Sequence, residues 1–278
     1  MPATASSTLD LPRYLARIGY AGPLTPTGDV LAALQAAHVA AIPFEALDPL
    51  TGKAVDLAPA AIDAKLIEAR RGGYCFEQNS LFLRVLRALG FEAEGRIARV
   101  RWTLPDDAPP TPRTHQLTRV ILAGRAWLVD VGFGSAVPAA PLAIDRAGAQ
   151  PTAHEPCRLV RVGDAWRVEA EIAGEWRPLY DVEDGEPPAI DYEVGNWYTS
   201  RHPDSHFCHQ LIAARTTADA RIALRDNRLT IRRTDGTVDQ RYLSAEEIEA
   251  ALADIFGLAV EPGWRPAIER AATVEVAV

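Results

Sequence analysis

The hydrophobic pattern of this 278-residue chain changes at Gly90, and that change limits the folds open to it. Before Gly90, apolar residues recur at every third or fourth position, which is typical of amphipathic helices. After it, short runs of alternating hydrophobicity are separated by Ala-Gly and Gly-Asp pairs, which is typical of strands joined by tight turns. We therefore expect an α+β protein in which helices precede an antiparallel barrel or curled sheet.

The individual elements follow from this pattern. Helices are predicted to begin near Leu11, after the capping residue Thr27, near Ala60 and at Cys75. The predicted strands are 95–102, 115–122, 127–131, 158–162, 166–172 and 176–180, and later 221–224 and 229–233. Segment 196–215 has no regular pattern and is predicted to be irregular. A hairpin turn is predicted at Asp235-Gly236, and the capping box 244–247 opens a helix that is predicted to end at Gly257.

One cysteine stands where a thiol can become a nucleophile. Gly72 and Gly73 precede Cys75, and we expect positive φ angles at these glycines to turn the chain sharply into the following helix. The positive end of that helix and the nearby Arg70 and Arg71 would favour the thiolate form. A lone cysteine at a helix start is more often a buried apolar residue, so the catalytic interpretation needs partners elsewhere in the chain.

Composition excludes some classes of partner. The formal net charge of −8 argues against nucleic acid or an anionic membrane as the main partner. Neither a membrane-spanning apolar run nor, in residues 1–11, a basic-then-apolar leader pattern is found, and the three cysteines suit a reducing compartment. These features predict a cytoplasmic protein. The oligomeric state is not predicted.

A nucleophilic cysteine needs a base and a residue that orients the base. His115 begins a predicted strand, and Asp130 stands between two valines at the end of the next. A plain hairpin turn at Gly124-Arg125 would place Asp130 opposite Arg119 and far from His115, so a bulge, a bend or a shifted turn is needed. The alternatives are an Asp130–Arg119 ion pair and a structural His115.

Three further histidines lie close together near Cys208. The positions are His202, His206 and His209. They lack the paired spacing of a helical zinc site, so we expect solvent-exposed or capping histidines and no metal site.

Several motifs together resemble the arylamine N-acetyltransferase family. They are 71–77 with Asn79, Thr114-His115, 130–135, 42–45, and 196–207 with Ser200, Pro203, Ser205 and Phe207. The resemblance extends over residues 10–215. This chain departs from the family pattern at Ala46, Gln78, Gln116 and Arg201.

The resemblance implies a cysteine-protease-like catalytic core, in which Cys75, His115 and Asp130 form the triad. It implies a helical bundle at 1–90 carrying the nucleophile, a central antiparallel β-barrel at 91–195 carrying the histidine and the aspartate, and an α/β lid at 196–278. The aryl pocket would be lined by Phe44, Phe133 and Phe207. The residues implied near the coenzyme A arm are Trp102, Thr114 and Gly134.

The implied reaction is acetyl transfer from acetyl-coenzyme A to an arylamine, an arylhydrazine or a similar amine, through an acetyl-cysteine. A thioester keeps the acyl group activated until a weakly nucleophilic amine arrives. Three alternatives remain open at this point. They are hydrolase or transglutaminase-like chemistry with the same triad, an amide synthase for a larger acyl chain, and a binding module that has kept the fold.

Overall fold

Side-chain caps begin the N-terminal helices at the predicted positions. The computed structural model describes residues 9–105 and 107–274, so most of segment 1–11 lies outside the described residues. Asp10 accepts a hydrogen bond from the Arg13 N–H at the start of the first helix, and Thr27 accepts one from the Val30 N–H at the start of the second. The elements up to Ala88 are α1 (Leu11–Ile18), α2 (Gly28–Ala41), β1 (Phe44–Glu45), α3 (Leu47–Leu50), α4 (Pro59–Asp63) and α5 (Cys75–Ala88). A π-helical turn, Ala64–Glu68, continues α4.

The next part of the chain forms a large antiparallel sheet. Its strands are β2 (Glu92–Val100), β3 (Arg113–Leu122), β4 (Arg125–Val129), β5 (Leu142–Ala143), β6 (Cys157–Val162), β7 (Ala165–Ile172) and β8 (Glu175–Glu183). Within the described residues the sheet has seven strands in the order β5-β4-β3-β2-β8-β7-β6. This agrees with the expected antiparallel barrel or curled sheet.

Gln150 joins the two outer strands of this sheet. Its side-chain amide accepts a hydrogen bond from the Ala143 N–H at 2.8 Å and donates one to the Ala143 carbonyl at 2.9 Å. Its backbone pairs with Cys157 at the start of β6, with bonds of 2.7 and 3.0 Å. One residue therefore connects β5 to β6 and brings the sheet close to a closed barrel.

The C-terminal part adds a second sheet and more helices. Its elements are α6 (Ala189–Arg201), β9 (Ile212–Thr216), β10 (Ala220–Arg225), β11 (Arg228–Arg233), β12 (Val238–Tyr242), α7 (Ala245–Asp254) and α8 (Arg265–Ala272). The second sheet has the order β1-β9-β10-β11-β12, so β1 pairs with β9 although most of the chain lies between them. Phe44 thereby lies opposite Ala214.

Helix α6 corrects the prediction that segment 196–215 is irregular, because residues 196–201 are its last turns. Ile190, Val194 and Trp197 are spaced as on one helix face, yet each is more than half exposed. The buried residues of α6 are Gly195, Thr199 and Ser200, which are small or polar, so the face that packs on the protein has no apolar stripe.

Separate hydrophobic clusters hold the parts together. One lies between α1, α2, α5 and strands β2 to β4, a second fills the barrel, and a third packs α7 and α8 on the second sheet. Among residues 9–105 and 107–274, no helix has the length and apolar content that crossing a membrane requires.

Candidate active site

Cys75 is the first residue of α5, as predicted, but the glycines before it act differently from the prediction. Neither Gly72 nor Gly73 has a positive φ; Arg70 takes the left-handed conformation, with φ of 53°. A β-carbon on Gly72 would lie 2.2 Å from the carbonyl oxygen of Pro43. The glycine is needed because the backbone of the neighbouring segment lies so close, not because of a left-handed turn.

Buried charges hold the turn that leads into Cys75. The Glu77 carboxylate accepts a hydrogen bond from the Tyr74 N–H at 3.1 Å and forms an ion pair with Lys65 at 2.6 Å. Arg71 pairs with Glu45 at 2.7 Å. Burial raises the pKa of Glu77, and Lys65 opposes that rise. Removing one partner would leave the other charge buried and unpaired, so the cluster stabilises one conformation of the turn.

A second buried network reaches the same turn through Gln78. The Tyr14 hydroxyl lies 2.8 Å from Nδ1 of His38, and Nε2 of His38 lies 2.6 Å from Oε1 of Gln78. The Gln78 amide nitrogen donates to the Pro43 carbonyl at 2.9 Å and to the Gly73 carbonyl at 3.2 Å. Burial lowers the pKa of His38 to about 4, so this imidazole is neutral. Because the Gln78 amide nitrogen donates to carbonyls, its oxygen Oε1 accepts the hydrogen bond from His38. The proton of the neutral imidazole is therefore on Nε2, and Nδ1 accepts a hydrogen bond from the Tyr14 hydroxyl.

The hairpin between β3 and β4 differs in register from the plain turn considered above. Its turn residues are Ala123 and Gly124, with φ of 51° and 77°, and Thr118 pairs with Val129. The turn therefore lies one residue before the plain turn at Gly124-Arg125, which agrees with the expected shift of the turn. Continuing the observed register places Asp130 at the level of Leu117, two positions along β3 from His115. Asp130 follows the last residue of β4, where the chain leaves the ladder.

This shift brings the histidine and the aspartate together. Nε2 of His115 lies 2.7 Å from Oδ2 of Asp130. The alternative ion pair does not form, because Arg119 pairs with Glu94 at 3.3 Å. A β-bulge between Ala98 and Arg99 of β2 lies beside His115, which agrees with the expected strand irregularity.

Cys75 lies against the other side of the imidazole. Its thiol lies 3.5 Å from the Thr114 carbonyl, and its electrostatic interaction with His115 raises the pKa of the imidazole. Because Nε2 faces Asp130, Nδ1 is the ring nitrogen left for the thiol. Burial lowers the pKa of His115, but Asp130 and Cys75 raise it more strongly, to about 10. The imidazole therefore favours its protonated form at neutral pH.

Asp130 is held by residues to which the sequence interpretation assigned no role. Oδ1 accepts hydrogen bonds from the Asn79 amide at 3.1 Å and from the Gly132 N–H at 2.8 Å. The Tyr180 ring lies 4.8 Å from the His115 ring, and burial and contact with Asp130 raise the pKa of Tyr180 well above its usual value. Asn79, one turn after Cys75, belongs to a motif that carries the family resemblance, although no role was assigned to it there. Tyr180 gave no such signal, because it reaches the site only through the pairing of β8 with β2.

A cavity of about 690 Å³ opens onto Cys75 and His115. It is lined by all the residues that were predicted near the aryl group or the coenzyme A arm: Phe44, Phe133, Phe207, Trp102, Thr114 and Gly134. The Phe44 and Phe207 rings are 5.9 Å apart, and the Phe133 ring lies 4.9 Å from that of His115. Asp130 is 1% exposed and lies behind the histidine, outside the cavity wall.

The other histidines have separate contacts. The His202 ring stacks on Tyr198 at 4.4 Å, and Nε2 of His209 lies 2.6 Å from the Pro203 carbonyl. His206 lies at the cavity, 4.0 Å from the Phe207 ring. The described part of the chain contains no group of three or more metal-ligating side chains that could hold an ion.

The site brings a cysteine and a histidine to one cavity and an aspartate behind the histidine, an arrangement suited to thiol chemistry. The N-acetyltransferase family model matches residues 27–265. An arylamine N-acetyltransferase of Mycolicibacterium smegmatis is 45% identical over 253 residues, which cover 90% of this chain and 92% of the relative. That of Escherichia coli is 37% identical over 90% of this chain and 89% of the relative.

Solved structures give the same result. The arylamine N-acetyltransferase of M. tuberculosis superimposes with a TM-score of 0.90 at 40% identity, over 95% of this chain and 100% of that one. The Mycobacterium marinum enzyme in complex with coenzyme A gives 0.88 at 41% identity, over 95% and 98%. The chain belongs to the arylamine N-acetyltransferase family, and it is an acyltransferase.

Proposed function

We propose that this enzyme transfers the acetyl group of acetyl-coenzyme A to the nitrogen of an arylamine or arylhydrazine through an acetyl-Cys75 intermediate. The observation that carries the proposal is the shared cavity, which joins the thiol and the imidazole to three phenylalanine rings. The activity of the relatives and the coenzyme A complex of the M. marinum enzyme support it.

In the first half-reaction, the Cys75 thiolate attacks the thioester carbonyl of acetyl-coenzyme A. A bond forms between Sγ and the carbonyl carbon, and the bond from that carbon to the coenzyme A sulfur breaks. The His115 imidazolium donates its proton to the departing thiolate. The raised pKa of His115, about 10, supports an imidazolium in the resting enzyme. Asp130 orients the ring and balances its charge.

In the second half-reaction, the amine nitrogen attacks the acetyl-cysteine. The bond between the acetyl carbon and Sγ breaks, and His115 accepts the proton that the nitrogen loses. The backbone N–H of Cys75 is the proposed oxyanion donor, because the first N–H groups of a helix have no acceptor within the helix. Product release then returns the thiolate and imidazolium.

The two substrates are assigned to different residues of the cavity wall. Phe44, Phe133 and Phe207 would hold the aryl ring, since aromatic pairs favour tilted and edge-to-face contacts. Trp102, Thr114 and Gly134 would lie along the coenzyme A arm. The three predicted parts of the chain would then each contribute: 1–90 the nucleophile, 91–195 the base and its carboxylate, and 196–278 one wall of the aryl pocket.

We also propose a cytoplasmic site of action. The mechanism needs a reduced thiol and a supply of acetyl-coenzyme A, and the three cysteines are unpaired in the structure. Cell fractionation with antibody detection checks the location. Recovery of the protein outside the cytoplasmic fraction would contradict it.

Steady-state kinetics test the mechanism. Initial rates are measured over a matrix of acetyl-coenzyme A and arylamine concentrations. A covalent intermediate predicts parallel lines in the double-reciprocal plot and release of coenzyme A before amine is added. Intersecting lines, with no coenzyme A released in the absence of amine, would favour direct transfer within a ternary complex.

A further inference from the structure

The outer strand of the C-terminal sheet is an open edge. Strand β12 is the last in the order β1-β9-β10-β11-β12, and no strand in the described residues pairs with its outer side. All five of its residues are exposed. Val238 and Tyr242 are 59% and 48% exposed, although both are large apolar side chains. An exposed strand of this kind offers its unpaired backbone groups to another strand.

The backbone hydrogen bonds define which residues face outward. The Leu243 N–H donates to the Asn227 carbonyl at 2.8 Å, and the Arg233 N–H donates to the Thr237 carbonyl at 2.8 Å. In an antiparallel pair, alternate residues direct both backbone groups at the neighbouring strand. Odd-numbered residues of this segment therefore bond to β11. The outward-facing residues are Val238, Gln240 and Tyr242.

We propose that two copies of this chain associate by antiparallel pairing of β12 with β12, about a twofold axis at Gln240. In that register Gln240 faces Gln240 of the second copy, and Val238 faces Tyr242. All outward-facing backbone groups then meet one another. Three bonded pairs give about six hydrogen bonds across the junction.

Charge complementarity selects this register. Asp239 lies opposite Arg241 of the second copy, and the twofold axis produces the same pair a second time. Within the described part of the chain, Asp239 lies opposite Ile231 and Arg241 lies opposite Leu229 on β11, so neither has a charged residue directly opposite it. A shift by two residues would place Asp239 against Asp239 or Arg241 against Arg241, and opposed like charges destabilise a ladder. A shift by one residue would lose the backbone bonds.

The association is expected to be weak and dependent on concentration. A junction of five residues a side is smaller than the interfaces of stable complexes, which bury about 1,200–2,000 Å². The two charged pairs are exposed, so salt will weaken the dimer. The cavity lies elsewhere: neither Asp239 nor Arg241 is among its lining residues.

The test is sedimentation velocity of the whole protein over a series of micromolar to submillimolar concentrations, with two charge-reversal variants. Asp239→Arg places arginine against arginine twice, and Arg241→Asp places aspartate against aspartate twice. Each variant alone is expected to stay monomeric at concentrations where the unaltered protein dimerises. An equimolar mixture of the two variants restores both opposite-charge pairs, and it is expected to dimerise.

Three results would overturn the proposal. They are an unaltered protein that is monomeric throughout, variants that dimerise as well as the unaltered protein, and a mixture that remains monomeric. Unchanged acetyltransferase activity and circular dichroism confirm that each variant is folded. Gln240→Pro, which removes an outward N–H without changing charge, provides a second variant and is also expected to abolish the dimer.

Discussion

His115 and Asp130 are joined by a 2.7 Å contact between Nε2 and Oδ2, although they do not face each other across the ladder between β3 and β4. The contact forms because the chain leaves β4 directly after Val129, so that Asp130 lies level with Leu117 of β3. Asn79 and the Gly132 N–H then hold the other carboxylate oxygen. The register of the strands therefore sets the level of Asp130, and the residues around it hold its carboxylate.

Asp130→Asn is expected to keep the fold and to lose most activity. The amide cannot balance the charge of the imidazolium, so the pKa of His115 should fall and kcat/KM should drop by roughly 10²–10⁴-fold. The measurement is kcat/KM against pH, with circular dichroism as a check on folding. Asp181→Asn is the matched control, since Asp181 pairs with Arg167 in the same barrel and does not line the active-site cavity. Normal kinetics for Asp130→Asn would remove this residue from the triad.

Gly132→Ala is expected to displace the nucleophile from its partners. A β-carbon at this position would lie 2.7 Å from Cα of Cys75 and 2.7 Å from the Asn79 amide nitrogen. Because the first contact is with backbone, the helix start must move, and we expect at least a tenfold loss of kcat/KM and a stability loss of about 1–3 kcal/mol. Gly263→Ala is the control, since nothing lies within 4 Å of its added carbon. Equal activity of the two variants would show that this close approach is unimportant.

Phe207→Ala is expected to weaken arylamine binding more than reaction with the acetyl donor. The Phe207 ring lies 5.9 Å from that of Phe44 and 6.1 Å from that of Tyr74. Removing it should raise KM for the arylamine roughly tenfold, a loss of about 1.4 kcal/mol. The rate of coenzyme A release without amine should change little. Trp197→Ala, which removes an aromatic ring that is 56% exposed, provides the comparison. If the rate of coenzyme A release decreased by as large a factor as KM for the arylamine increased, Phe207 would not belong specifically to the aryl pocket.

Stability is expected to fall in acid because of His38. Burial lowers the pKa of this residue from 6.5 to about 4. The free energy of unfolding is therefore not reduced by His38 above pH 6.5, and it decreases as the pH falls toward 4. Over this range the unfolded chain binds a proton at His38 that the folded protein does not bind. The loss should reach about 3 kcal/mol. Urea unfolding at a series of pH values measures it.

The variant His38→Asn separates this effect from other acid titrations. It should be less stable than the unaltered protein at pH 7, because Tyr14 and Gln78 each lose a partner. Its stability should change less between pH 6.5 and 4. Identical pH slopes for the two proteins would contradict a neutral buried His38.

Much of the fold could be predicted from local signals. The caps Asp10 and Thr27 and the turn pairs Ala123-Gly124 and Ala173-Gly174 are local features, and helix starts and hairpins follow from them. Helix α6 was missed because the residues on its buried face, Gly195, Thr199 and Ser200, are small or polar. The pairing of β1 with β9 was missed because two residues, Phe44 and Glu45, carry no strand pattern.

The candidate site could be predicted in its residues but not in its geometry. The positions of Cys75 and His115 in the sequence suggested their roles, and the family resemblance supplied the cavity residues. The contact between His115 and Asp130 depends on the turn at Ala123-Gly124, which lies one residue before the plain turn at Gly124-Arg125. The buried network through Gln78 depends on tertiary contacts among three helices and the turn before Cys75, which no local pattern encodes.

The most direct measurement of the central claim is the mass of the protein after incubation with acetyl-coenzyme A and no amine. We predict one acetyl group on the Cys75 peptide, its loss when an arylamine is added, and no adduct in Cys75→Ser, whose hydroxyl is far harder to ionise. Cys157 and Cys208 are internal controls; burial raises the pKa of Cys157 to about 12, so it should remain unmodified. No acetyl group on Cys75, in protein whose Cys75 still reacts rapidly with iodoacetamide, would contradict the proposed acetyl-cysteine mechanism.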